Sequence, residues 1–315
     1  MKIIALLPFK NEAWVLPTYL SSVTKIADEI VALDDGSTDD GRSILEEAGA
    51  IVFTHNFGKE RVVQMSARRT RLLEEGRRHG GTHFIWLDAD ETFSADFLPS
   101  ARETIAALKE GEKLSLRWVH LWKKVTYYLD DPDSPFGHAW KDIIVCDSPT
   151  YSFENRFLSE ARTPGPHDKL VRLPEEQGVV LHFQFARWDA VQMKQVWYRC
   201  MELIEGSRNA RYINHTYSVT LDTPTLRTLP LPAQWTNEIL LPKITLGEDW
   251  HEREIIAWFD AFGVLFFEPL QIWHIPSLRE RFISEMGREP IPKVFPSWLL
   301  LLNRLRNMLR ATIGT

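Results

Sequence analysis

Cysteine is nearly absent from this sequence. In 315 residues there are two, Cys146 and Cys200. That is too few for a disulfide framework, so the fold must hold by its own core, and a reducing compartment is expected. Long apolar runs are missing too: no window approaches the ~18 uncharged apolar residues of a membrane-spanning helix. After Lys2 the apolar run Ile3 to Leu7 stops at Pro8, and Lys10 and Glu12 follow, which is too short for the core of a secretory signal. Nor is there an excess of positive charge. The net charge is −6, which argues against nucleic acid as a partner. Internal repeats and low-complexity segments are lacking. These absences leave a cytoplasmic globular protein as the expectation, with room for one large domain or two modest ones.

What is present begins with a regular alternation over the first hundred residues. Strands are predicted at 2–9, 29–37, 50–55 and 82–90, and helices at 14–26, 39–49 and 59–80. The strands are apolar on both faces, which implies a mostly parallel, Rossmann-like sheet covered by helices on each side. Beyond residue 115 the alternation fades. Strands are predicted at 113–122 and 178–186, a loop-rich stretch at 127–142, and a long helix at 188–213 with Asp189 at its start. Residues 221–242 carry repeated prolines and read as a connector, and a helix is predicted near 249–262. The 12 Trp and 17 Phe suit either a core or a carbohydrate site.

In a parallel sheet, ligands bind beyond the C-terminal ends of the strands. That rule gives the polar clusters one address. Asn11 and Glu12 follow the first strand, Asp34 and Asp35 end the second, Asn56 to Lys59 follow the third, and Asp88 and Asp90 end the fourth. The last cluster breaks a rule of burial. "FIWLDADETF" (84–93) is an apolar strand running straight into Asp88, Asp90 and Glu91, carboxylates that repel one another and resist desolvation. They call for positive charge. Asp-X-Asp at a strand end suits Mn²⁺ or Mg²⁺, hard cations that prefer carboxylate oxygen and bridge to phosphates.

"LLPFKNE", "VALDDGSTDDG" and "FIWLDADE" together resemble the N-terminal half of glycosyltransferase family 2, over roughly residues 1 to 115. "PHDKL" (166–170) and "VVLHFQFARW" (179–188) are similar to segments of bacterial lipopolysaccharide-core and exopolysaccharide transferases. The resemblance implies a GT-A fold and a hexosyltransferase-type enzyme. Its donor would be a nucleotide-diphosphate sugar, with a UDP-sugar favoured over GDP- or dTDP-sugars. Its acceptor would be a glycan or a lipid-linked molecule. By the same likeness Pro8, Asn11 and Glu12 would lie along the nucleotide, and Asp34 and Asp35 would accept hydrogen bonds from base or ribose. Asp88 would meet ribose and metal, and Asp90 would ligate the metal. Lys59, Arg61 and Arg68 would support the diphosphate.

One departure stands out: Ala67-Arg68-Arg69 ends in arginine where the family often has asparagine. For the general base that an inverting transfer needs, Asp168 takes the place of a glutamate in the related segment, with Glu154 and Asp142 as fallbacks. His182 or His167 would add a metal ligand, although a histidine ending an apolar strand is also the pattern of a core residue.

The implied organisation is a GT-A domain over 1–215, split into a nucleotide-sugar half (1–115) and an acceptor half (116–215). An extension over 216–315 would follow. Its amphipathic basic helix at 296–312 suits either peripheral contact with the inner face of a membrane or packing on protein. Two other classes compete. A sugar nucleotidylyltransferase expects a glycine-rich loop after the first strand, and "LLPFKNEAW" offers none. A non-catalytic nucleotide-sugar sensor or scaffold is disfavoured by the intact Asp88 and Asp90.

Overall fold

The computed structural model describes residues 1–55, 64–132, 134, 136–153, 161–206, 208–221, 226–244 and 250–294. Lys59, Arg61, Glu154, the segment 56–58 and the helix expected at 296–312 lie outside the described residues. Two compact units are present, Met1–Arg187 with Leu226–Thr245, and Trp188–Thr225 with Leu246–Thr315.

The first unit is built on strand–helix alternation. Strands β1 (Ile3–Phe9), β2 (Glu29–Asp34), β3 (Ile51–Thr54) and β4 (His83–Ile85) are separated by helices α1 (Leu16–Val23), α2 (Gly41–Glu47) and α3 (Gln64–Arg78). β1 pairs in parallel with β2 and β4, and β2 with β3. Residues of β1 alternate between two cores. Ile3, Ala5, Leu7 and Phe9 pack with Leu16, Tyr19 and Val23 of α1, while Ile4 and Leu6 pack with Leu72 and Leu73 of α3. Burial on both faces is why the strand reads as one apolar run. Each such side chain contributes roughly 1.5–3 kcal/mol. Pro17 sits in the first turn of α1, where its missing N–H costs nothing.

The rest of the sheet mixes directions. It adds β5 (Glu91–Phe93), then β6 (Lys113–His120) after helix α4 (Ala101–Ala106). β8 (Ala139–Cys146), β9 (Leu170–Arg172) and β10 (Val179–His182) follow, while β7 (Tyr127–Leu129) lies in a separate two-stranded sheet. Among the described residues the order is β3-β2-β1-β4-β8-β6-β10-β5, with β9 beside β6. This is the α/β arrangement, with a mostly parallel sheet and flanking helices, expected from the sequence. β8 corrects the loop-rich reading of 127–142: it runs antiparallel between β4 and β6. Its first residues are polar and half-buried, and only Ile143, Ile144 and Val145 are fully buried, so the strand's start carries no apolar signal. β7 pairs with β11 (Thr228–Pro230) inside the stretch read as a connector, with helix α7 (Ala233–Thr236) just after it.

The second unit is helical. α5 (Trp188–Glu205) and α6 (Ala210–Thr216) divide what the sequence suggests is one helix. Gly206 takes a left-handed φ of 65°, and the side chain of Asn209 accepts from the N–H groups of Arg211 and Tyr212, starting α6 afresh. Asp189 lies within the first turn of α5. α8 (Trp250–Phe262), α9 (Val264–Phe267) and α10 (Pro276–Met286) complete the unit around a core that includes Ile255, Phe259, Phe267 and Phe282. Among the described residues no helix is long and apolar enough to cross a membrane.

Candidate active site

The loops after β1 and β2 are tied together. Asn11, the second residue beyond β1, holds a left-handed φ of 56°, a conformation that asparagine tolerates better than most residues. Its side-chain oxygen accepts from the N–H of Thr38 at 2.7 Å, and its own N–H donates to Ser37 Oγ. Asp34 accepts from the Ser37 N–H at 2.8 Å. Asp35 meets Arg68 Nη2 at 2.7 Å. Glu12 accepts from the Trp14 indole at 2.8 Å, and Pro8 is paired opposite Leu33 within the β1–β2 ladder. Pro8, Asn11, Glu12, Asp34, Asp35 and Arg68 therefore share one edge, the C-terminal ends of β1 and β2.

β4 ends at Ile85, two residues before its apolar run ends at Leu87, and 88–91 form a turn closed by Glu91 N–H donating to Asp88 C=O at 3.0 Å. The turn sorts its carboxylates by burial. The Asp88 side chain is 39% exposed and that of Asp90 10%, while Glu91 is fully buried. Burial of Glu91 is sustained by four donors: the Asp88 N–H (2.9 Å), the Trp118 indole (2.7 Å) and both terminal nitrogens of Arg162. Arg162 Nη2 also reaches Asp88 Oδ2 at 2.9 Å. Burial opposes the Arg162 charge, but Asp88, Glu91 and Asp90 outweigh it and hold the guanidinium firmly protonated. Tyr19, buried beneath them, has its hydroxyl pushed up by burial and then by Asp88 and Glu91.

Asp90 faces β10. His182 Nε2 lies 3.4 Å from Asp90 Oδ2, and His182 Nδ1 lies 2.9 Å from Nδ1 of His120. One of those two nitrogens donates. When His182 does, its Nε2 lone pair is left beside Asp90, the tautomer a metal ligand needs. His120 is held neutral by burial first and by the neighbouring His182 second. The Trp118 ring stacks on His182 with centroids 4.6 Å apart, and Lys141 lies over its ring at 4.9 Å. The Lys141 ammonium is lowered by burial and by Arg162, with Glu91, Asp88 and Asp142 acting against this.

Asp168 is exposed, just before β9, and its charge is felt by Lys113 and Tyr151. Lys113 begins β6 opposite Val145, whereas Asp142, further along β8, pairs with His167 at 2.7 Å. The structure thus joins Asp90 with His182 and Asp88 with Arg162 and Glu91, and joins Asn11, Asp34, Asp35 and Arg68. It places Asp168 and His167 with Lys113 and Asp142. Among the described residues no group of three or more His, Cys, Asp or Glu gathers in a form that could by itself hold a metal.

Sequence reasoning does not find Arg162, Lys141, Trp118 or His120. Trp118 and His120 had a signal, the two-residue spacing in "RWVHLW" that puts both on one face of β6. Arg162 had none: it stands in an irregular stretch, 74 residues from Asp88.

Residues 5–114 match the model of the family described as Glycosyl transferase family 2. Among solved structures the chain is similar to a mycobacterial protein at 22% identity, covering 38% of this chain and 41% of that one, with a TM-score of 0.30. It is also similar to glucosyl-3-phosphoglycerate synthase from Mycobacterium tuberculosis. In the complex of that enzyme with Mn²⁺, UDP and glucosyl-3-phosphoglycerate, identity is 19% over 38% of this chain and 44% of that one, with a TM-score of 0.29. In its complex with Mn²⁺, UDP-glucose and phosphoglyceric acid, identity is 21% with the same coverage and a TM-score of 0.28. The chain spans less than half the length of each of these proteins.

Proposed function

We propose, because residues 5–114 match the model of glycosyl transferase family 2, that this chain is a metal-dependent, inverting glycosyltransferase. It would move a sugar from a nucleotide-diphosphate donor, a UDP-sugar first among the candidates, to a glycan or lipid-linked acceptor of cell-surface polysaccharide synthesis. One observation carries the reading: the two strands that flank β1 bring carboxylates, Asp34 and Asp35 at the end of β2 and Asp88 and Asp90 after β4, to the edge where α/β sheets bind ligands.

The residues fit a hard cation. Asp88 is open to solvent, and Asp90 Oδ2 has an imidazole nitrogen beside it. Mg²⁺ and Mn²⁺ commonly take one or two carboxylates and complete their shell with phosphate and water, so a small donor set suffices. Asp88, Asp90 and His182 would hold the cation, which would supply Lewis-acid assistance to the departing diphosphate. Asp35 would receive the N–H or hydroxyl donors of base and ribose, with Asn11 and Glu12 framing the same edge. Arg68, already on Asp35, brings a cation there.

Two carboxylates compete for the acceptor proton. Asp168 is the first candidate and Asp142 the fallback; both act on Lys113, and Asp142 is paired with His167. D142N and D168N separate them: the base variant loses turnover while keeping nucleotide binding.

The reading is tested by thermal shift of the full chain with UDP, GDP and dTDP, each with Mn²⁺ and with EDTA. One nucleotide should raise the melting temperature only when metal is present, and D90A should abolish that rise. No shift with any nucleotide in Mn²⁺ would overturn it.

A further inference from the structure

Arg162 answers the question of which positive charge the acidic turn waits for, but its contacts are unequal. Nη1 donates to Glu91 Oε2 and Nη2 to Glu91 Oε1 at 2.8 Å, a two-pronged grip on a carboxylate with no solvent exposure. The link to Asp88 is a single bond from the same Nη2, at 2.9 Å, to a side chain that is 39% exposed. Paired, planar contacts of the first kind are strong and fix orientation. A single contact at a partly solvated carboxylate is weak and exchangeable. Trp118 braces the arrangement from the side, its indole on Glu91 and its ring 5.5 Å from the guanidinium carbon.

We propose that Arg162 is a donor-positioning residue that stands in for the cation on Asp88 and hands Asp88 over when the metal–diphosphate complex binds. Glu91 is the anchor and Asp88 the exchangeable partner. Once Asp88 turns to the cation, Nη2 keeps its bond to Glu91 and directs its remaining N–H at the diphosphate. The bidentate Glu91 grip sets where that N–H points, something a point charge on a flexible stem cannot do. Before the exchange, Arg162 weakens cation binding in the absence of nucleotide, since it neutralises one ligand and places a positive charge beside the site. The inference rests on the transferase reading above and adds an order of binding: nucleotide and metal together, in preference to metal alone.

The test measures two affinities on the full chain by calorimetry, Mn²⁺ alone and inorganic pyrophosphate with Mn²⁺. Pyrophosphate makes the readout independent of the donor base. R162Q keeps hydrogen-bond donors for Glu91 and removes the charge. It should bind Mn²⁺ alone about tenfold more tightly and Mn²⁺–pyrophosphate about tenfold less tightly. R162K, which retains the charge and guards against a folding failure, should keep the wild-type affinity for Mn²⁺ alone and lose affinity for the pyrophosphate complex. Both affinities falling in parallel, or neither changing, would overturn the proposal. Absence of metal-dependent pyrophosphate binding in the wild type would instead overturn the transferase reading, before any variant is compared.

Discussion

Arg162 in the first unit meets two carboxylates, whereas Arg199 in the second meets a backbone carbonyl and a tyrosine ring. Both are withdrawn from water. Arg199 is fully buried. Its Nη2 donates to Tyr217 C=O at 2.5 Å, but among the described residues its Nε and Nη1 have no hydrogen-bond partner. The consequence shows in its protonation. Burial pushes the Arg199 guanidinium down to about 10, while the carboxylates around Arg162 keep that group charged at any pH the protein meets. A buried charge is tolerable when its partner is buried with it and costly when it is not. The first unit buries its arginine with carboxylates, whereas the second buries one that pairs with no carboxylate among the described residues.

Breaking the acidic side of this contrast should have the largest effect. D90A removes the carboxylate that His182 faces. Sugar transfer, followed as release of nucleotide from the donor, should fall by about 10³-fold or more, as expected when several kcal/mol of Lewis-acid assistance is lost. Replacing each arginine by methionine then sets the two regions against each other. R162M strands Glu91 and should cost about 3–5 kcal/mol in urea unfolding. R199M removes a charge with no counter-ion, and should be neutral or stabilising by about 1–4 kcal/mol. Equal losses in the two variants would erase the comparison.

A smaller effect belongs to His274, whose imidazole is pushed down to about 4 by burial first and then by the Arg199 charge. A depressed histidine takes up its proton more readily when unfolded. The stability it permits is therefore complete above about 6.5 and is lost as pH falls from there toward about 4. The residue as a whole is exposed, so solvent screening makes this loss small. Between pH 7 and 4.5 the wild type should lose stability more steeply than H274Q, and R199M should flatten the wild-type slope. The smallest expected change is at Asn11, where alanine must adopt a left-handed φ and the Thr38 N–H loses its acceptor. N11A should cost about 1–2 kcal/mol in unfolding, and N11G should recover part of that.

Much of the first unit was legible in the sequence for one reason: β1, β2 and β4 are buried on both faces, so each writes a continuous apolar word followed by polar residues. That made the address of Asp34, Asp35, Asp88 and Asp90 readable, and β10 ending in His182 followed the same grammar. β8 escaped because its leading residues are only half-buried. The break between α5 and α6 escaped because Gly206 and Asn209 are weak marks within a strong helical pattern. Arg162 escaped for a deeper reason. The acidic turn announces a deficit of positive charge but not which of 37 lysines and arginines will meet it, since pairing across 74 residues is a property of the folded topology.

The antiparallel register of β5 and β10, Glu91 opposite His182 and Phe93 opposite Val180, also sets a timetable. β5 is a three-residue strand whose ladder partner in the sheet is β10. At roughly 5–20 residues per second of synthesis, a nascent chain would carry the finished "DADE" turn for several seconds before Arg162 is translated, and longer before His182. During that interval the carboxylates stay hydrated, and β1 to β4 can assemble without them. The ion pair and the ladder that close the acidic turn can thus form only once residues 162 and 182 have been made.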